Sequence, residues 1–191
     1  MENHPIRDGG LVRTAAIFYA VLLGLALGVS TLTGHPLLYA DPAADRGIDW
    51  PRDPAVGALA AGLVIALSAL LSAATRWGEA LSRALAELLG PLRPRDCLLL
   101  AAMSGVAEEA LFRGALQPLV GWVAASLLFG LAHFAPRREL WPWTGFTVAA
   151  GFGLGWLYEA TGNLVAPVVA HFGVNAVNLW LLSRRRPGAG R

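Results

Sequence analysis

Seven polar side chains stand inside long apolar runs of this sequence: Glu108, Glu109 and Arg113, then His133, then His171, Asn175 and Asn178. A charged group at mid-helix in a bilayer costs about 2.5–3.5 kcal/mol on insertion scales, so such residues face a bundle interior and mark function. A carboxylate or imidazole so placed can act as a general base, and a histidine or asparagine can donate hydrogen bonds across helices.

The spacings sort these residues by task. Glu109 and Arg113 are four apart, so on a helix they share a face in the orientation that favours an ion pair. Glu108 points about 100° away from Glu109, free to face a cavity as a general base. His171 and Asn175 are also four apart and project from one face toward a common point. Pro167 suits a first helical turn, which puts His171 about one turn into a rigid segment. Phe129 and His133 repeat the same interval. Each polar residue alone would be explained by interhelical hydrogen bonding. Three helices contributing Glu, His and His-plus-Asn favour a shared site.

The elements that must hold these groups are membrane helices. The chain has 191 residues, 55% hydrophobic and 15% charged, with a mean hydropathy of +0.53, far from the composition of a water-soluble domain. Six runs have the length and apolarity to cross a bilayer: residues 11–33, 54–75, 96–117, 119–135, 140–160 and 163–183. The first follows Arg7 and Arg13 but exceeds the apolar core of a signal peptide, about 7–15 residues, and is read as a retained span. Residues 76–90 alternate Arg76, Glu79, Arg83 and Glu87 with Trp77, Leu81, Leu85 and Leu88 at helical period, which predicts an amphipathic helix on the membrane surface. The expected fold is an all-α polytopic membrane bundle of about six transmembrane helices plus one interfacial helix. Residues 1–191 are read as a single integral-membrane domain, with no internal repeat.

All 15 basic residues are arginines. With both termini cytoplasmic, Arg7, Arg13, Arg76, Arg83, Arg93, Arg95, Arg137, Arg138, Arg184, Arg185, Arg186 and Arg191 fall inside, as the positive-inside bias requires. Asp41, Asp45, Asp49 and Asp53 lie in the first outer loop with Arg46 and Arg52. The basic residues form no patch on a soluble face, so nucleic acid is not expected as a partner. Trp50, Trp122, Trp141, Trp143 and Trp180 near span ends suit an interfacial belt. Gly151 and Gly155 form a small-xxx-small pair, read as helix packing.

Depth tests whether the site can assemble. At about 1.5 Å per residue, Glu108 lies about 12 Å from the outer edge of a core about 30 Å thick, with His171 at similar depth. His133 lies at about 21 Å. Convergence therefore requires helix tilt, a shorter fourth span or a break near Gly130.

The set Glu108-Glu109-xxx-Arg113, Phe129-xxx-His133 and His171-xxx-Asn175, in this order on successive hydrophobic helices, resembles the CPBP family of CAAX proteases and bacteriocin-processing (Abi) proteins, with the myxosortase-like branch among them. The resemblance runs over about residues 96–183, the expected catalytic core. It implies an intramembrane endopeptidase in which Glu108 and His133 activate water, His171 and Asn175 stabilise the oxyanion, and Glu109 and Arg113 support them. It also implies a membrane-anchored or lipidated protein or peptide substrate, with membrane lipids as surroundings, and an integral membrane protein of the bacterial inner (plasma) membrane.

Two choices follow. Glu108, His133 and His171 could instead ligate Zn2+ with an open fourth position. No HExxH is present, and Asn175 is a poor zinc ligand but a good oxyanion donor, so a metal-free glutamate mechanism with no cofactor is preferred. A cysteine nucleophile would need Cys97 near Arg113 and His133, but Cys97 is about 24 Å from Arg113 along one helix, so it is read as a packing residue. Outside proteolysis, intramembrane Glu, His and Arg also mark transporters or proton relays. A non-catalytic scaffold of the same fold is the remaining alternative.

Overall fold

The structure is a computed structural model that describes residues 10–40 and 47–185. Its elements are α1 (Gly10–Thr33), α2 (Arg52–Ala74), α3 (Arg76–Leu89), α4 (Pro94–Glu109), a π-helical segment (Ala110–Leu116), α5 (Gln117–Ala132), a short 3-10 turn (Arg138–Leu140), α6 (Trp141–Thr161) and α7 (Val165–Ser183). No β-strand occurs among the described residues; Tyr39 and Asn163 make one isolated bridge. Arg7, Asp41, Asp45, Arg46, Arg186 and Arg191, used above for orientation, lie outside the described residues, as do both termini.

Four helical runs are long and apolar enough to cross a membrane: Gly10–Thr33, Arg52–Ala74, Pro94–Ala132 and Val165–Ser183. The fifth expected span corresponds to α6, whose Trp, Tyr and Glu residues make it less apolar. The outward faces are greasy in the way lipid contact demands: Leu59, Leu63, Leu67 and Leu70 along α2 are 75, 71, 52 and 62% exposed. Glu108, Glu109, Arg113, Gln117 and His171 are buried. A polar interior inside an apolar shell is the arrangement a bilayer selects, and the chain is an integral membrane protein.

The third and fourth expected spans are one run, Pro94–Ala132, of 39 residues. Straight, it would measure about 58 Å, nearly twice a bilayer core. It folds back instead at Gly121, whose φ of 82° and ψ of 161° no helix contains. The pairs that meet across the bend place it: Phe112 stacks edge-on with Phe129 at 5.1 Å, and Glu108 meets His133. Both pairs are centred between residues 120 and 121. From Gly121 the chain runs 13 residues back to Glu108 and 12 forward to His133, about 20 and 18 Å at 1.5 Å per residue. The reversal at Gly121 is what returns His133 to the level of Glu108. The bend is at Gly121 rather than near Gly130.

Helix α7 lies at the centre, packed against α2 and α4, with α6 and α3 beside it; α1 covers α4, and α5 pairs with α6. The α5–α6 contact is close because Gly151 lacks a side chain: a Cβ there would sit 2.7 Å from the Ser126 carbonyl oxygen. A buried polar joint sets where α7 starts. Asn163 donates to Asp53 at 2.7 Å, while its own Oδ1 accepts from the Val165 amide at 2.9 Å and caps the helix. Neither role was legible in the sequence. Helix α3 is the expected amphipathic element. Thr75 caps it, accepting from Gly78 N at 3.0 Å, and Arg83 pairs with Glu79 at 3.2 Å on its exposed face.

Candidate active site

Glu108 and Glu109 end α4, and Arg113 lies in the π-helical segment that follows. A π turn shifts the side-chain register within a helix and recurs at functional sites. Across this wider turn Glu109 and Arg113 remain in contact, with Arg113 Nε 3.2 Å from Glu109 Oε2 and both side chains wholly buried. The contact is one of charge rather than an aligned hydrogen bond, since neither atom has a hydrogen-bond partner. Arg113 also donates to the Gly151 carbonyl at 3.3 Å, and its guanidinium lies 4.5 Å over the Phe129 ring. The buried cation thus meets a carboxylate, a carbonyl and an aromatic face, while its Nε and Nη1 make no hydrogen bond.

Glu109 has a second partner that its spacing to Arg113 did not suggest. His171 Nδ1 lies 2.7 Å from Glu109 Oε1. A carboxylate facing an arginine is acceptor-only, so His171 carries a proton on Nδ1 and its Nε2 is left for other use. Arg113, Glu109 and His171 thus form one continuous chain in which the carboxylate orients the imidazole.

Glu108 faces the other histidine. His133 Nε2 lies 3.4 Å from Glu108 Oε2, and His133 Nδ1 lies 2.8 Å from the Phe129 carbonyl. A carbonyl can only accept, so His133 carries its proton on Nδ1 and presents Nε2 to Glu108. Phe129 lies between the imidazoles, 4.6 Å from His133 and 5.9 Å edge-on from His171, centroid to centroid. The Phe129-xxx-His133 spacing thus places a packing wall as well as a polar group. Trp143 meets His133 edge-on at 6.3 Å, centroid to centroid.

Asn175, one turn beyond His171, donates from Nδ2 to Ser104 Oγ at 2.9 Å. Ser104 escaped notice because a serine in an apolar helix carries no mark of function. Its interval of four before Glu108, which puts both on the face of α4 toward α7, was the available signal. Tyr19 of α1 turns its phenol toward Glu108 and Ser104, and nothing in the sequence singled it out. Cys97 is buried and unpaired at the start of α4.

The structure therefore brings the buried Glu108, Glu109, Arg113 and His171 together with the partly buried His133 and Asn175. Two imidazoles and a carboxylate could hold a metal in principle. Among the described residues, no three His, Cys, Asp or Glu side chains are grouped as metal donors.

Comparison with known proteins selects the same stretch. Residues 92–177 match the family model described as type II CAAX prenyl endopeptidase, Rce1-like. An uncharacterized Bacillus subtilis (strain 168) protein, YpbD, is 45% identical over 82 residues, which is 42% of this chain and 42% of that one. The matched region is thus less than half the length of this relative. No solved structure matches the chain. All six residues of this region fall within the matched segment, so residues 92–177, just under half of the chain, are similar to the Rce1-like type II CAAX prenyl endopeptidase family, which is the CPBP family.

Proposed function

We propose that the chain is an intramembrane endopeptidase in which Glu108 activates water to hydrolyse a peptide bond. The observation that carries this proposal is the approach of Glu108 to His133 at 3.4 Å, inside an apolar bundle. Glu108 takes a proton from water as the oxygen attacks the scissile carbonyl carbon, and His133 Nε2 shares that proton. The oxyanion accepts hydrogen bonds from Asn175 Nδ2 and from His171 Nε2. His171 Nδ1 is already committed to Glu109, so donation from Nε2 requires one further proton on the Glu109–His171 pair. Collapse of the intermediate breaks the C–N bond, and Glu108 returns the proton to the leaving amine.

The substrate class follows from the surroundings and the family. An apolar groove of about 380 Å³ between α1 and α4, lined by Tyr19, Leu23, Met103 and Val106 among others, supports sideways entry from the lipid. A lipidated or membrane-anchored C-terminal segment, such as a prenylated CAAX end, suits this route. The arginine distribution supports a bacterial plasma-membrane protein with both termini cytoplasmic.

The test is cleavage of a farnesylated CAAX peptide carrying a fluorophore and quencher, by protein reconstituted in vesicles. Glu108→Gln keeps the shape and removes the base, and cleavage is expected to fall at least about 100-fold, the scale of a lost general base. Cleavage at the parent rate by a normally inserted Glu108→Gln variant would sink the glutamate mechanism. Parallel assays after dialysis against a zinc chelator are expected to retain activity. Loss that zinc restores would move Glu108, His133 and His171 into the role of ligands. Proteins accumulating uncut in a deletion strain would show whether bacteriocin precursors or C-terminal sorting tails are cleaved instead.

A further inference from the structure

Asn175 can serve an oxyanion only if its amide presents nitrogen, and not oxygen, toward the substrate carbonyl. An asparagine side chain is nearly symmetric in shape, so its surroundings must decide which way it faces. Ser104 is the group that faces it. Ser104 is 4% exposed, sits one turn before Glu108 on α4, and accepts from Asn175 Nδ2 at 2.9 Å.

A serine hydroxyl has one proton and can donate once. Ser104 spends that proton on its own helix, donating to the Ala101 carbonyl at 3.2 Å. Only lone pairs then remain toward Asn175. An amide oxygen turned to Ser104 would meet another acceptor, whereas the NH2 group makes a hydrogen bond. The two helices are held at this level by their backbones, because a Cβ on Gly105 would lie 3.2 Å from Phe172 N. The distance from Ser104 to Asn175 is therefore set by helix packing and not by side-chain drift.

We infer that Ser104 is a positioning residue that fixes the orientation of the Asn175 amide, so that the second N–H of Nδ2 is held for the oxyanion. Ser104 touches neither the water nor the scissile bond in this scheme. The inference rests on the proposed role of Asn175 and adds the element that makes that role possible. Without Ser104 the amide can flip and place its carbonyl oxygen against the developing negative charge.

A double-mutant cycle on farnesylated-peptide cleavage separates this role from a merely structural one. Ser104→Ala is expected to lower kcat about 10-fold or more with KM little changed, part of the roughly 100- to 1,000-fold that loss of a whole oxyanion donor costs. Ser104→Thr keeps a hydroxyl that can bond back to the Ala101 carbonyl and is expected to restore most of the activity. In an Asn175→Ala background, Ser104→Ala is expected to change kcat less than about 2-fold, since residues acting as a unit are non-additive. An equal loss in both backgrounds would assign Ser104 to packing and overturn the inference, as would full activity of Ser104→Ala. Glu108→Gln run alongside keeps the two levels apart. If it is inactive while Ser104→Ala cleaves normally, the base stands and the positioning role alone fails. If it cleaves normally, the glutamate mechanism fails on its own account.

Discussion

Replacing Gly121 with alanine isolates the cost of the chain reversal that returns His133 to Glu108. The φ of 82° and ψ of 161° at Gly121 fall in a region that is essentially restricted to glycine. A Cβ at Gly121 would meet no heavy atom within 4 Å. Crowding by neighbours therefore contributes nothing, and the penalty is backbone strain alone, about 1–3 kcal/mol. Asparagine should fare no better. Its tolerance of positive φ applies to the left-handed helical well, with ψ near about 47°, and ψ here is far from it. The chain can relieve the strain by moving the bend one residue, which shifts His133 by about 1.5 Å along its helix and 100° around it. A misplacement of about 1 Å at a catalytic group costs on the order of 100-fold in rate. Gly145, on the exposed side of α6, is the control, since a Cβ there also meets nothing within 4 Å and its φ is ordinary. Gly145→Ala should be neutral or stabilising by up to about 1 kcal/mol. Unfolding in detergent micelles by heat or denaturant, with peptide cleavage on the same preparations, makes the measurement. Stability of Gly121→Ala within about 0.5 kcal/mol of the parent, the scatter of a neutral substitution, would refute the account of the bend.

Two further substitutions test the polar supports. Glu109→Gln leaves the fully buried Arg113 without its carboxylate, so unfolding should become easier by about 3–5 kcal/mol, and a change under about 1 kcal/mol would show that Arg113 finds another partner. Asn163→Ala removes both the donor to Asp53 and the cap on Val165 N; a loss of about 1–3 kcal/mol in the same unfolding assay is expected, and an unchanged midpoint would mean that α7 is anchored by packing alone.

Much of the architecture was written in composition and period. Apolar runs of bilayer length, the amphipathic alternation in residues 76–90, and small residues at 151 and 155 are local properties, and each acts through forces that a helix feels on its own or from the membrane. The ion pair of Glu109 with Arg113 is local too, being one helical turn long, and it forms despite the π turn. The identity of the polar residues was equally plain, because a charged group in an apolar run stands out whatever it touches.

Partnerships between helices were not legible in the same way. That His171 pairs with Glu109 and His133 with Glu108 depends on where α7 lies against α4 and how far the chain runs before it turns. The turn itself sits at one glycine among 22, and the positive φ it needs is shared by Gly34, Gly90 and Gly162 among the described residues. Ser104, Tyr19, Asp53 and Asn163 are ordinary residues in sequence, and they acquire roles through contacts with elements 60 or more residues away or with another helix. Spacing along a helix determines which side chains share a face, because 3.6 residues per turn is a property of the backbone. Which face meets which is determined by packing among helices, where the energy belongs to the contact and to no single segment.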